Sequence, residues 1–440
     1  MADDKAADDN KELPAYSRAG PGPYRTEHKF TLENKGKPWL FLFIKSRAAT
    51  PAAAPFFLEN DVVAGRVELE ADKSEAIKSI TVTIQGGATA VGQEEQVFLD
   101  LNEVLWSDKA GKITKGKHSW PFSFTLPSKV DSPDVKGITL PPESKIKNAK
   151  LITVDAPPSF SERGSPAYID YKALVNVKRG AFKPNQLLSA NMNYLPLRQA
   201  EPPSALRQLA YKEGTDLIGP DGDPAGWKVL PPVKFKGRLF DAVDVELECT
   251  LAVATPLAFT IGSPIPLILT LKSENQQALD TLAVPNAVKL YLVRSIAMGS
   301  DAMQDDVVDR RSNSFFESNG GQAYFWPSNE GAQEPGKRVL RGELEVKRQT
   351  KPSFLFPRLT IRYTLDLKAF AITGFTSVGI EAGKSLLSEP VKITTKQIPG
   401  IAPRSYAPPG YEKPPESDFN SAVGYLENGN QRFYHHGGFA

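Results

Sequence analysis

Ile169-Asp170-Tyr171-Lys172-Ala173-Leu174-Val175-Asn176-Val177-Lys178 is the stretch on which the fold class turns. Ile169, Tyr171, Ala173, Val175 and Val177 fall on one face of an extended chain, and Asp170, Lys172, Asn176 and Lys178 on the other. Leu174 is the one exception. A period of two belongs to a β-strand, whose successive side chains point to opposite faces of a sheet. One dry and one wet face imply a sheet with a single buried side, and that side needs a second sheet to cover it.

The same pattern recurs upstream. Trp39-Leu40-Phe41-Leu42-Phe43-Ile44 is the first clear strand. Val63, Val67 and Leu69 oppose Arg66, Glu68 and Glu70, while Ile80, Val82 and Ile84 alternate with Thr81, Thr83 and Gln85. Phe122, Phe124 and Leu126 alternate with Ser123 and Thr125. Downstream, Val243, Val245, Leu247 and Cys249 oppose Asp244, Glu246 and Glu248. Leu359, Ile361, Tyr363, Leu365 and Leu367 oppose Thr360, Arg362, Thr364, Asp366 and Lys368, and a last strand runs from about Pro390 to Lys396. The expected class is all-β, built as antiparallel β-sandwiches.

Between the two runs the alternation stops. Ser204 to Ala210 reads as a short helix with Ser204 at its N-cap, and Gly219 to Gly226 is dense in turn residues. The expected organisation is a disordered tail at 1–36, a first domain at 37–198, a connection at 199–226, a second domain at 227–397 and a second disordered tail at 398–440. The halves echo one another. Phe57-Leu58-Glu59-Asn60-Asp61 leads into the strand at Val63, as Phe259-Thr260-Ile261-Gly262-Ser263 leads into the strand at Ile265. Pro264 and Pro266 place that second strand at a sheet edge, because proline donates no hydrogen bond to a ladder.

Composition narrows the function classes. The 440 residues carry 53 Lys and Arg against 51 Asp and Glu, a net charge of +2, which gives no global signal for nucleic acid. One Cys rules out a disulfide framework or a cysteine zinc site. No apolar run approaches the ~18 residues that span a bilayer. The acidic start, with Asp3, Asp4, Asp8 and Asp9, is unlike a secretory signal, so the expected address is the cytoplasm. Of the four His, His28, His435 and His436 fall in the expected tails, and His118 stands beside Trp120 at a strand entrance. Cys249 alternates with core residues and reads as packing. Gly379-Ile380-Glu381-Ala382-Gly383-Lys384-Ser385 ends like a phosphate loop but has three residues between its glycines where four are needed, and reads as a surface hairpin turn. No catalytic, cofactor-binding or metal-ligating constellation emerges, and the expectation is a non-enzyme without cofactors.

Asn60-Asp61-Val62-Val63-Ala64-Gly65-Arg66-Val67 comes before Ile77-Lys78-Ser79-Ile80. Trp120-Pro121-Phe122-Ser123-Phe124-Thr125-Leu126-Pro127, Leu140-Pro141-Pro142-Glu143, Pro157-Pro158-Ser159-Phe160 and Tyr168-Ile169-Asp170-Tyr171 then follow in order. This ordered series resembles the N-domain of the arrestins, specifically the α-arrestin or arrestin-domain-containing branch. The resemblance covers about residues 38–195 and extends to 227–397 as an arrestin C-domain. It implies tandem arrestin-like sandwiches acting as an adaptor. The body would select the cytosolic segment of a membrane protein, and a tail motif would recruit a HECT-type ubiquitin ligase through its WW domains. Ubiquitination and endocytic sorting would follow, with the chain recruited to plasma membrane or endosomes. No equivalent of the buried charged core by which visual-type arrestins sense phosphate is evident in the sequence.

The motif such an adaptor needs is present. Pro408-Pro409-Gly410-Tyr411 is a PPxY sequence in the expected C-terminal tail. Consecutive prolines pre-order a polyproline II turn that lies across an aromatic groove, and the tyrosine fills a neighbouring pocket. Chance alone gives roughly 0.1 such motifs in a chain of this composition. The WW-binding residues are therefore Pro408, Pro409 and Tyr411. Leu13-Pro14-Ala15-Tyr16 is an LPxY variant with one proline fewer, making Leu13, Pro14 and Tyr16 a weaker secondary site. The alternative reading is an arrestin-fold scaffold or coat subunit that recruits no ligase.

Overall fold

A computed structural model describes residues 24–74, 76–90, 94–133, 151–162, 165, 167–180, 183–299, 302–303, 314–328, 334–380 and 384–408. The protein is all-β. The first half comprises β1 (Thr26–Asn34), β2 (Lys37–Ser46), β3 (Phe56–Leu58), β4 (Val62–Ala71), β5 (Ile77–Ala90) and β6 (Gln96–Ser107). It continues with β7 (Gly116–Thr125), β8 (Lys129–Pro133), β9 (Leu151–Asp155), β10 (Ala167–Arg179) and β11 (Gln186–Leu195). One sheet has the order β1-β2-β4-β7 and the other β3-β11-β10-β5-β6, with β8 and β9 forming a separate ribbon. Ile169, Tyr171, Ala173, Val175 and Val177 are all buried, and so are Ile80, Val82 and Ile84 across the β5–β10 ladder. Leu40, Leu42, Val63, Val67 and Leu69 of the facing sheet join the same core.

The connection holds helix α1 (Ala205–Glu213) and strand β12 (Trp227–Val229). The second half follows with β13 (Val233–Leu239), β14 (Val243–Ala254), β15 (Ala258–Thr260), β16 (Pro264–Lys272), α2 (Gln276–Leu282), β17 (Leu290–Gly299) and β18 (Ser314–Gln322). Its remaining strands are β19 (Tyr324–Pro327), β20 (Lys337–Glu345), β21 (Phe354–Phe356), β22 (Arg358–Lys368), β23 (Ala371–Ile372), β24 (Phe375–Val378) and β25 (Ser385–Thr394). Its sheets run β19-β20-β16-β14-β13-β24-β23 and β15-β25-β22-β17-β18. The topology is a repeat. The series β1, β2, β4, β7 is matched by β13, β14, β16, β20, and β3, β11, β10, β5, β6 by β15, β25, β22, β17, β18. Even the parallel edge is repeated, as β3 on β11 and β15 on β25.

Several boundaries differ from the sequence reading. β1 begins at Thr26, inside the segment 1–36 expected to be a tail, because Thr26 and His28 turn inward while Glu27 and Lys29 face solvent. That alternation has too few apolar residues to stand out. His28 is accordingly a buried residue bonded to Ser46 Oγ at 2.8 Å, and burial lowers its pKa. β16 is an interior strand, between β20 and β14. Its prolines are tolerated because pairing with β14 begins only at Leu267, leaving one side of Pro264 and Pro266 unladdered. β24 and β25, on either side of the expected hairpin turn at 379–385, lie in different sheets and do not pair with each other, and Glu381, Ala382 and Gly383 lie outside the described residues. The last strand ends at Thr394.

Candidate functional site

The connection between the halves is a built platform. Ser204 caps α1 by accepting from the Arg207 backbone N–H at 3.2 Å, and Gly214 closes the helix at φ +75. Arg207 is buried beneath the helix. Its guanidinium donates to Thr255 O at 2.7 Å and to Gly226 O, and lies 5.0 Å from the Trp227 ring. Each of those carbonyls therefore has a donor, and the cation is satisfied by backbone and an aromatic face. Trp227 in turn donates its indole N–H to Ile218 O at 2.8 Å.

The segment Arg404–Pro408 docks on this platform and on β20. Glu343 is the anchor. Its carboxylate accepts the Tyr406 backbone N–H at 2.9 Å, the Ser405 hydroxyl and, at 2.5 Å, the Tyr324 hydroxyl. The Tyr406 ring stacks on Tyr211 of α1, with centroids 6.3 Å apart and planes at 29°. Burial pushes the Tyr211 phenol up to about 12. The Arg404 guanidinium fills the space where a Gly214 Cβ would stand, so a cation meets the C-terminal end of α1, where helix carbonyls favour it. Pro408 is exposed at the rim of a cavity of about 380 Å³ lined by Trp227, Trp326, Arg341, Glu343 and Tyr406.

Of the WW-binding residues expected from the sequence, Pro408 is therefore the one the structure places. Pro409 and Tyr411 lie outside the described residues, as do Leu13, Pro14 and Tyr16 and the distal His435 and His436. His118 bonds to Thr114 O at 2.9 Å and stacks on Trp120 at 5.9 Å. Cys249 is wholly buried, as its alternation implied, and burial pushes its thiol up to about 12.

A second constellation, which the sequence reading missed, ties the halves together. Arg294 of β17 donates to Glu162 at 2.7 and 3.0 Å, and the Lys351 ammonium stands 3.3 Å from the same carboxylate. Burial acts to raise the Glu162 carboxyl, but the charges of Lys351 and Arg294 outweigh it and hold it below its ordinary 4.5. Burial lowers the Lys351 ammonium, against the pull of Glu162. Phe98 meets Phe356 edge-on at 5.0 Å, and Phe160 lies 6.4 Å from Phe354. A seam lies nearby in the chain's course. Thr395 donates its hydroxyl to Pro196 O at 2.6 Å and accepts the Arg198 N–H at 2.8 Å, while Gln199 bridges Lys396 in parallel. The one available signal was Arg294 itself, the single charge in the mostly apolar run Leu290–Met298.

The residues behind the arrestin resemblance also meet. Tyr171 donates to Pro157 O at 2.7 Å, Phe160 pairs with Ile169, and Asp61 takes the Arg47 guanidinium at 2.5 and 2.7 Å. No family model matches the chain, and no curated protein matches it.

Proposed function

We propose that the chain is an arrestin-like adaptor, whose two sandwiches bind the cytosolic part of a membrane protein and whose C-terminal PPxY motif recruits a WW-domain ubiquitin ligase. Proximity is the whole of its contribution, because tethering raises the concentration of ligase around cargo lysines. The observation that carries this reading is the position of Pro408. The body holds the chain firmly through Tyr406, and the motif starts at an exposed residue two positions later. A recognition motif set at the margin of a rigid platform is accessible and close to whatever the platform holds. The repeated strand order, with one parallel edge in each half, supports the tandem arrangement the resemblance implies.

The test is binding of purified WW domains to the full chain and to Tyr411→Ala. Loss of the aromatic anchor is expected to weaken binding about thirtyfold, which corresponds to ~2 kcal/mol. Tyr16→Ala is expected to have a smaller effect. Equal binding by the Tyr411→Ala chain would remove the adaptor reading and leave the scaffold one.

A further inference from the structure

We propose that Ser405 is a phosphorylation site, and that its modification undocks Arg404–Pro408 from the body. The serine is exposed and lies in an irregular segment, the conformation a protein kinase can draw out as an extended substrate. In the docked state its hydroxyl donates to Glu343 and accepts the Ala407 N–H at 3.3 Å. Glu343 is 3% exposed and is bound also by Tyr324 and by the Tyr406 N–H, so its carboxylate has no room to turn away.

In the transfer step the Ser405 oxygen attacks the terminal phosphorus of magnesium-bound ATP. A new O–P bond forms and the bond to the bridging oxygen breaks. ADP leaves with that electron pair, and the hydroxyl proton passes to the kinase's base. The product removes the donor that Glu343 used and replaces it with oxygens that only accept. It also sets a charge of about −1.5 to −2 against a buried carboxylate, where solvent screens little. Segment and body then repel at the contact that held them. A transient opening supplies the kinase with its substrate, and the phosphate prevents reclosure.

Undocking removes the Tyr406–Tyr211 stack as well, and frees the chain directly before Pro408. The consequence for ligase recruitment rests on the adaptor reading; the undocking itself does not. A modification three residues before the motif would regulate how freely the motif reorients into a WW groove.

The experiment is hydrogen exchange of the full chain with phosphoserine installed at 405, followed at the Tyr406 amide, which donates to Glu343 in the docked state. Exchange is expected to quicken on the order of tenfold or more over the unmodified chain. Ser405→Ala is expected to quicken it less, since a donor is lost without repulsion. Phosphoserine in a Glu343→Gln background is expected to add little to the Glu343→Gln change, because the amide can donate to phosphate. Unchanged exchange would overturn the proposal. Slowed exchange would do so too, placing the phosphate on a cation such as Arg341. WW-domain binding is measured on the same proteins. Faster exchange with no WW binding at all would uphold the undocking and sink the adaptor reading. Strong WW binding with unchanged exchange would do the reverse.

Discussion

Gly65 occupies the middle of β4, where the Phe43 carbonyl and the Phe122 ring close on the place a Cβ would take. A glycine inside a strand marks such a close approach. Gly65→Ala is expected to destabilise the fold by roughly 1–3 kcal/mol through overpacking, measured by chemical denaturation. Glu162 makes an electrostatic counterpart. Its folded-state carboxyl is held below the ordinary glutamate value, so the stability it contributes is full above that value. That stability is lost as pH falls through the lowered pKa. Glu162→Gln should therefore flatten the acid side of the stability–pH curve, and parallel titrations of the two proteins read this directly. Arg294→Met, which leaves a buried carboxylate with one partner fewer, is expected to cost about 3 kcal/mol. Apart from the charge of Arg294 within β17, nothing in the sequence pointed to this cluster. Glu162, Arg294 and Lys351 are brought together by tertiary packing, and a sequence carries no period that links residues so far apart.

At the scale of elements the sequence was far more legible, because strand alternation is local. Every inward residue of the Ile169–Val177 run is buried, and the cap at Ser204 is where the residue type places it. Ser204→Ala should cost about 1 kcal/mol of stability. What escaped was β1, whose inward positions include Thr26 and His28, and the docking of residues 404–408, which depends on a carboxylate in β20. β1 also covers the edge of β2, a strand that reads Trp39-Leu40-Phe41-Leu42-Phe43-Ile44. A chain lacking residues 1–34 should therefore aggregate, since it opens an apolar strand to edge-on pairing. Light scattering of the truncated protein against the full chain decides this. The sequence reading places residues 1–36 in a tail and the first clear strand at Trp39, and so does not show that β2 has a covering neighbour.

For the whole molecule, the strand order of the first half is repeated in the second, and side chains cross from one half to the other. Glu162, Arg294, Lys351 and the pair Phe98–Phe356 join one half to the other. Residues 1–205 made alone should keep the circular dichroism of β-structure and melt at lower temperature than the full chain. The loss reflects Phe98 and Glu162 left without their partners. A melting temperature equal to that of the full chain would show that the contacts contribute nothing.

The bridge between Gln199 and Lys396 has a mechanical meaning. The chain leaves the first half and the second half through the same joint, so the helix that follows one exit and the segment that follows the other are neighbours. A load applied beyond Pro408 first peels Ser405 and Tyr406 from Glu343, contact by contact. It then reaches the joint at Thr395, where the route divides toward both halves. The strands β22 and β25 beyond it are paired antiparallel from Tyr363 opposite Val391 to Lys368 opposite Ser385, and resist in shear. The tail is thus a weak link in series with a strong one, and yields without disturbing the sheets that carry it.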